Sequence, residues 1–328
     1  MKFMHSGCRW EAPIKISIIL LFAAITGCNS IKSSNSAEWE SQLYREHPLV
    51  GKIWSTAEGE FVDQARVFAA AETSRYLLLG EKHDNPDHHR LQQSVVDFLI
   101  QQSRVGSIAF EMMNAEAQSR LDAIQEQEID SLDELKDYLQ WDAEGWDWSF
   151  YGPLLMRSYE AQLPIRAANI DDSTMMQVYG GELDASIANL LPAHVMSQLE
   201  KDIDESHCGL LPESQFPAMV RVQQSRDSQM ATALSEGDER TGDDGVNVLI
   251  AGNYHVRADL GVPNYLRSLQ SELEVAAVVT ISFSEVSQDS TDPADYLQQF
   301  SAVPAYDYIW FTPAVSDEDY CASLRQSQ

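Results

Sequence analysis

The chain has 328 residues, 44% of them apolar, with 22 Lys plus Arg against 51 Asp plus Glu and a formal charge of −29. That apolar share is too high for a disordered acidic polymer, so a packed core is expected. So acidic a chain has no general attraction for nucleic acid or anionic lipid, and any membrane attachment has to be covalent.

Residues 1–15 carry Lys2, Arg9 and Lys15 against one acid, Glu11, and an apolar run over 16–25 follows. A basic start, an apolar run of roughly 10–12 residues and small residues behind it form a secretory signal. The run is shorter than the about 20 residues a spanning helix needs. It ends in Ile25-Thr26-Gly27-Cys28, which resembles the bacterial lipobox; the alternative is an ordinary signal with a chance cysteine. The resemblance implies a signal peptide over 1–27, a lipid on Cys28 and, with Asn29 next, outer-membrane sorting. The expectation is an envelope lipoprotein whose anchor is covalent lipid, facing the periplasm or the exterior. Residues 28–48 read as a tether, Ser- and Asn-rich over 29–36, and residues 49–328 as one domain.

Behind the tether, short apolar runs alternate with helical patterns. Strands are expected at 76–79, 107–110, 165–168, 246–251, 276–282 and 308–311. Most are apolar throughout, which suits parallel strands covered on both faces. Helices are expected at 86–103, 115–126, 131–140, 151–162, 184–204, 214–235 and 262–272. The fold class is therefore α/β: a mostly parallel central sheet flanked by helices, with 115–160 and 174–235 as an inserted helical lobe. Of the four cysteines, Cys8 falls in the signal and Cys28 takes the lipid. Cys208 and Cys321 remain for a disulfide in an oxidising compartment. Two buried thiols, or Cys208 with His207 as half of a metal site, are the alternatives.

Three strand ends carry chemistry. Leu77-Leu78-Leu79 runs into Gly80-Glu81-Lys82-His83, Ile108-Ala109-Phe110 into Glu111, and Val248-Leu249-Ile250-Ala251 into Gly252-Asn253-Tyr254-His255. Ligands of open parallel sheets sit beyond the carboxyl ends of the strands, so His83, Glu111 and His255 are expected to converge there. In each G-x-x-H the glycine is read as a sharp turn that presents the imidazole. Asn85, Pro86 and Asp87 read as the cap and first turn of a helix. His88 and His89 lie about 100° apart on it, so at most one faces the site. In the 214–235 helix, Phe216, Val220, Gln223, Asp227, Met230 and Leu234 form one stripe, with polar Gln223 and Asp227 where apolar residues belong. Such a helix leans over the strand ends, with Arg226 beside an acid; an exposed middle turn is the alternative. Trp141, Trp146, Trp148, Phe150 and Tyr151 read as the core of the helical lobe or as a flat ligand platform.

The run Leu79-Gly80-Glu81-Lys82-His83-Asp84-Asn85-Pro86-x-His88-His89, with Phe110-Glu111-Met112, resembles the ChaN-like haem-binding uptake family of the Tiki superfamily. So do Trp148-x-x-Tyr151-x-Pro153, His207-Cys208-Gly209, Gln223-x-x-Arg226-Asp227, Gly252-x-x-His255 and Gly261-Val262-Pro263, in the family's order from about residue 50 to 285. The resemblance implies a lipoprotein that takes part in haem and iron acquisition. No C-x-x-C-H is present, so haem is held without covalent attachment. By the same resemblance the axial ligand is a tyrosine, and Tyr254 is the one named, with Arg226 and His83 as further haem contacts. Propionates need cations, and Arg157, Arg221 and Arg226 are those near the helical lobe. A homodimer bridged by haem is one arrangement open to it. The superfamily also holds metal-dependent proteases and erythromycin-esterase-like hydrolases. The alternative is therefore a hydrolase whose divalent metal sits on His83, Glu111 and His255, with Glu81 as general base, or one in which Glu111 and His83 activate water without metal.

Overall fold

Strand β3 (Tyr76–Glu81) is buried along its whole length and lies in the middle of the sheet, with alternate side chains feeding two separate cores. Leu77 and Leu79 enter one core, Tyr76 and Leu78 the other. A strand apolar on both faces needs a layer on each side, and the rest of the chain supplies them. A computed structural model describes residues 39–241, 245–319, 321 and 322; Cys28 and the signal segment lie outside the described residues.

Residues 39–48, read from the sequence as tether, belong to the domain. The compact unit begins at Trp39. Leu43 bridges Ala314, and the Ser41 and Glu40 N–H groups donate to the buried Asp87 carboxylate. Two three-residue strands follow, β1 (Ile53–Ser55) and β2 (Glu60–Val62), and then α1 (Gln64–Thr73). The first strand pairs antiparallel with the second and with the last strand, β8 (Tyr308–Thr312). β1 and β2 are too short for the strand pattern to reveal, and the apolar run at 67–71 inside α1 is not among the helices expected above.

Beyond β3 come α2 (Pro86–Gln101), β4 (Val105–Asn114), α3 (Gln118–Asp122), α4 (Leu132–Leu139), α5 (Trp148–Glu160) and β5 (Ile165–Asn169). The helix expected over 115–126 is broken: 3-10 turns at Ala115–Ala117 and Ile124–Glu126 flank the short α3. Asp147 caps α5 by accepting the Ser149 N–H at 2.9 Å, so the helix starts at Trp148 rather than Tyr151. Next are α6 (Asp172–Tyr179), α7 (Ala185–Ala188) and α8 (Ala193–Ser206). Pro192 separates the last two, because a proline disfavours helix in the residue before it and donates no hydrogen bond. Finally α9 (Phe216–Thr241) leads to β6 (Val246–Gly252), α10 (Val262–Leu269), β7 (Val278–Glu285) and β8.

The sheet order is β2-β1-β8-β7-β3-β6-β4-β5, parallel from β8 to β5. The inserted helices cover both faces of the sheet. Residues of α2, α4 and α5 pack on one face with Leu77, Leu79 and Phe110. Residues of α8, α9 and α10 pack on the other with Tyr76, Leu78 and Ala109. Gly80 sits inside β3 and not at a turn. A methyl there would meet Asn253 and Val256 at 2.5 Å, so the glycine is needed because the loop after β6 closes onto the strand. Among the described residues no helix is long and apolar enough to cross a membrane.

Cys208, in a left-handed conformation after α8, forms a disulfide with Cys321 across a Cα–Cα distance of 5.3 Å. It closes 113 residues of chain and fastens the tail behind β8 to the helical layer. Closing so long a loop removes much freedom from the unfolded chain. Reduction is expected to lower unfolding free energy by about 2–4 kcal/mol, read from urea midpoints with and without reductant. Cys208 and Cys321 that alkylate without reductant contradict it.

Candidate functional site

β3, β6 and β4 are neighbours in the sheet and end side by side, so the residues just past them meet. His255 Nε2 lies 3.3 Å from Glu111 Oε1. Glu111 Oε2 accepts the Gly252 N–H at 2.7 Å. A methyl on Gly252 would come 3.1 Å from His83 Nε2 and 3.6 Å from Glu111 Oε2. The absence of a side chain at Gly252 thus lets the three groups close over one point.

Each imidazole has its own carboxylate. His255 Nδ1 donates to Asp227 Oδ1 on α9 at 2.6 Å, and Gln223, one turn earlier, lies 3.0 Å from the same nitrogen. The two polar residues in the apolar stripe of α9 are therefore there for His255. Burial alone would lower the His255 pKa, but the charges of Glu111 and Asp227 outweigh it and push it up to about 10. Burial would raise Glu111, yet the His255 charge, its hydrogen bond, His83 and the Gly252 N–H bring it down to about 2. Asp227 stays above its usual value, because burial exceeds the help from His255.

The second group is centred on Glu81, which is buried at the end of β3. Its Oε1 accepts His83 Nδ1 at 2.9 Å and the Tyr151 hydroxyl, from α5, at 2.6 Å. Burial lowers the His83 pKa, but the Glu81 hydrogen bond and the charges of Glu111 and Glu81 make the net shift upward. With Nδ1 donating to Glu81, His83 Nε2 is the face left for a ligand, and the side chain is 41% exposed. Trp146 stands edge-on to it at 4.9 Å. His89 also faces inward: its Nε2 donates to the His83 carbonyl, and its ring stacks on Phe150 at 4.6 Å. His88 is structural, accepting the Lys82 N–H and meeting Thr312, and burial holds its pKa far below the usual histidine value.

Tyr254 lines the mouth of the site, but its hydroxyl donates to Asp202 on α8 at 2.8 Å. Burial and that carboxylate raise its pKa, so the phenolate is disfavoured. Arg226 reads from the sequence as lying near an acid, but it forms no ion pair among the described residues. Arg157 pairs with Asp97 at 2.7 Å and Arg221 donates to the Val178 and Tyr179 carbonyls, whereas Arg226 Nε is buried without a partner among the described residues. The expected metal triad also takes a different form. His83, Glu111 and His255 do meet, but both His255 nitrogens face carboxylates. No group of three or more His, Cys, Asp or Glu among the described residues is arranged to hold an ion.

The crevice above the strand ends has a volume of about 500 Å³ and is lined by Glu81, Lys82, His83, Gly252, Tyr254 and His255, among others. A second cavity of about 420 Å³ lies beyond Glu111 and Trp146. The residues that the strand-end reading missed, Tyr151 and Trp146, had a local sign: both lie in the aromatic stretch that opens α5. Their partners, Glu81 and His83, are 60 or more residues away, where no local pattern reaches.

A family model described as haem-binding uptake, Tiki superfamily, ChaN matches residues 67–266. ChaN of Campylobacter jejuni, solved with cofacially bound haem, is similar at 24% identity and a TM-score of 0.62, over 79% of this chain and 95% of that one. An erythromycin esterase variant in its open conformation is 15% identical with a TM-score of 0.41, over 67% and 72%. The type III effector HopBA1 is 11% identical with a TM-score of 0.41, over 75% and 91%. No curated protein matches the sequence.

Proposed function

Since this chain belongs to the ChaN family of haem-binding uptake proteins in the Tiki superfamily, we propose that it binds haem non-covalently above β3, β4 and β6. Its place is a lipoprotein of the bacterial envelope, anchored through Cys28, in haem or iron acquisition. The haem is cargo, and His83 is the side chain for its iron. One observation carries this choice: Nδ1 is held by the buried Glu81, which fixes the ring and its tautomer and leaves Nε2 facing the crevice. Tyr254 is less suited, because iron wants a phenolate and Asp202 holds the hydroxyl proton. Trp146, half-buried and edge-on to His83, supplies apolar surface beside the imidazole, which a porphyrin face requires.

The test is a haemin titration of the purified protein, with a saturable Soret shift as the expected result and no saturable shift as the result against it. The anchor is tested separately. Radiolabelled palmitate is expected on the wild type and absent from Cys28→Ala in the bacterial host; equal labelling of both removes the lipid reading.

A second reading, a hydrolase, is supported by the Glu81–His83 pair, which has the form of an oriented general base at a crevice. His255 as arranged does not fit a metal ligand, so this reading rests on His83, Glu111 and His255 without a metal. Ester cleavage that disappears in His83→Ala, from protein that takes up no haemin, favours it.

A further inference from the structure

Several arginines pair with no carboxylate among the described residues, although the protein carries 51 acids against 22 Lys and Arg. Two of them share one cavity. Arg120 from α3 and Arg226 from α9 both line the 420 Å³ space beside β4, and the Nε of each is buried with no hydrogen-bond partner among the described residues. The same walls carry Glu111, Glu116, Asp142 and Asp172, yet neither guanidinium forms an ion pair among the described residues. Glu111 is taken by Gly252 and His255, and Asp142 caps the turn at Glu144 and Gly145. A buried donor without an acceptor is costly, and two unpaired guanidinium groups bordering one space leave room for an acceptor that arrives from outside.

The rest of the lining says what kind of acceptor. Met112, Met113, Met175 and Trp141 give the cavity apolar walls, while Trp146 both lines it and meets the His83 ring. The cavity thus opens beside the imidazole assigned to the iron. We propose that it is a carboxylate clamp, in which Arg120 and Arg226 hold the paired carboxylates of a flat apolar ligand while its ring lies against Trp146. Under the haem reading, on which this rests, those carboxylates are the propionates. Guanidinium forks match carboxylates in geometry and charge, and because acids on the same walls repel every anion, binding depends on both forks being engaged.

The test compares haemin and iron-free protoporphyrin IX with their dimethyl esters, in which both carboxylates are masked, by Soret and fluorescence titration. The wild type is expected to bind either diacid about tenfold or more tighter than its ester. Arg120→Gln and Arg226→Gln are each expected to lose that preference, while Arg226→Lys recovers part of it. Neither arginine side chain has a protein hydrogen-bond partner among the described residues, so both variants should melt like the wild type, which thermal unfolding checks. Equal binding of diacid and ester by the wild type overturns the clamp and leaves the haem reading standing, as does a preference that survives both substitutions. Arginine-dependent binding of protoporphyrin IX without a haemin Soret shift keeps the clamp and removes the iron ligand. Binding of neither porphyrin overturns both.

Discussion

Glu111→Ala is expected to lower the unfolding free energy by about 3–5 kcal/mol, because it leaves His255 buried with one of its two carboxylates gone. His255 is 7% exposed and Glu111 is 4% exposed, so water cannot replace the missing charge. The Gly252 N–H loses its acceptor at the same time, which adds a buried unmade hydrogen bond. Urea unfolding of variant and wild type measures the difference, and a change below about 1 kcal/mol contradicts the pairing. The pH profile gives a second view of the same bond. His255 has a folded pKa of about 10, above its usual 6.5, so its contribution is complete below pH 6.5 and is lost as pH rises to about 10. Glu111 is held at about 2, below 4.5, so its contribution is complete above pH 4.5 and is lost as pH falls towards 2. Asp227, raised by burial, works against the fold once the pH passes its unfolded value of 3.8. The wild-type melting temperature is therefore expected to fall between pH 6.5 and 10, and the fall is expected to be smaller in Glu111→Ala.

The other large effect is on ligand. His83→Ala is expected to weaken haemin binding by about a hundredfold or more, a loss of ~2.7 kcal/mol, and to abolish the wild-type Soret maximum. The fold should tolerate it, since the side chain is 41% exposed and its main contact is one carboxylate. Tyr254→Phe removes the hydroxyl that Asp202 holds and is expected to keep haemin affinity within about threefold of the wild type. The reverse pattern, with His83→Ala binding normally and Tyr254→Phe failing, assigns the iron to the tyrosine. Glu81→Gln keeps the shape but weakens the support of the ring, and an intermediate loss of about 10–100-fold is expected by titration.

The meeting of His83, Glu111 and His255 was legible because apolar runs identify parallel strands, and parallel strands end on a common edge. Asp227 and Gln223 were legible as anomalies in a helical stripe, though not as partners of any named residue. What could not be read were pairings over distance. Arg226 was expected near an acid, and only the packed structure leaves it without an ion pair among the described residues while occupying Arg157 and Arg221. Arg120 carries no signal in the sequence, because its stretch reads as one helix, whereas the structure breaks it into three pieces. β1 and β2 are three residues each, below the length at which alternation has meaning. Gly80 reads in the sequence as a turn residue, but it answers to the loop after β6, which is more than 170 residues on in sequence and leaves no room for a side chain.

The loop that carries His83 is fastened from several sides. Asn85 donates to Glu285 and to the Pro313 carbonyl, and its side-chain oxygen accepts from Ser41. Lys82 pairs with Glu285, and His88 is locked between the Lys82 N–H and Thr312. The beginning and the end of the domain thus converge on the residues that flank one imidazole. A site held this way has little freedom to change shape when a ligand arrives. Association then has little reorganisation to wait for, so its speed is governed by encounter and orientation, and differences in affinity between ligands reside in how fast each one leaves.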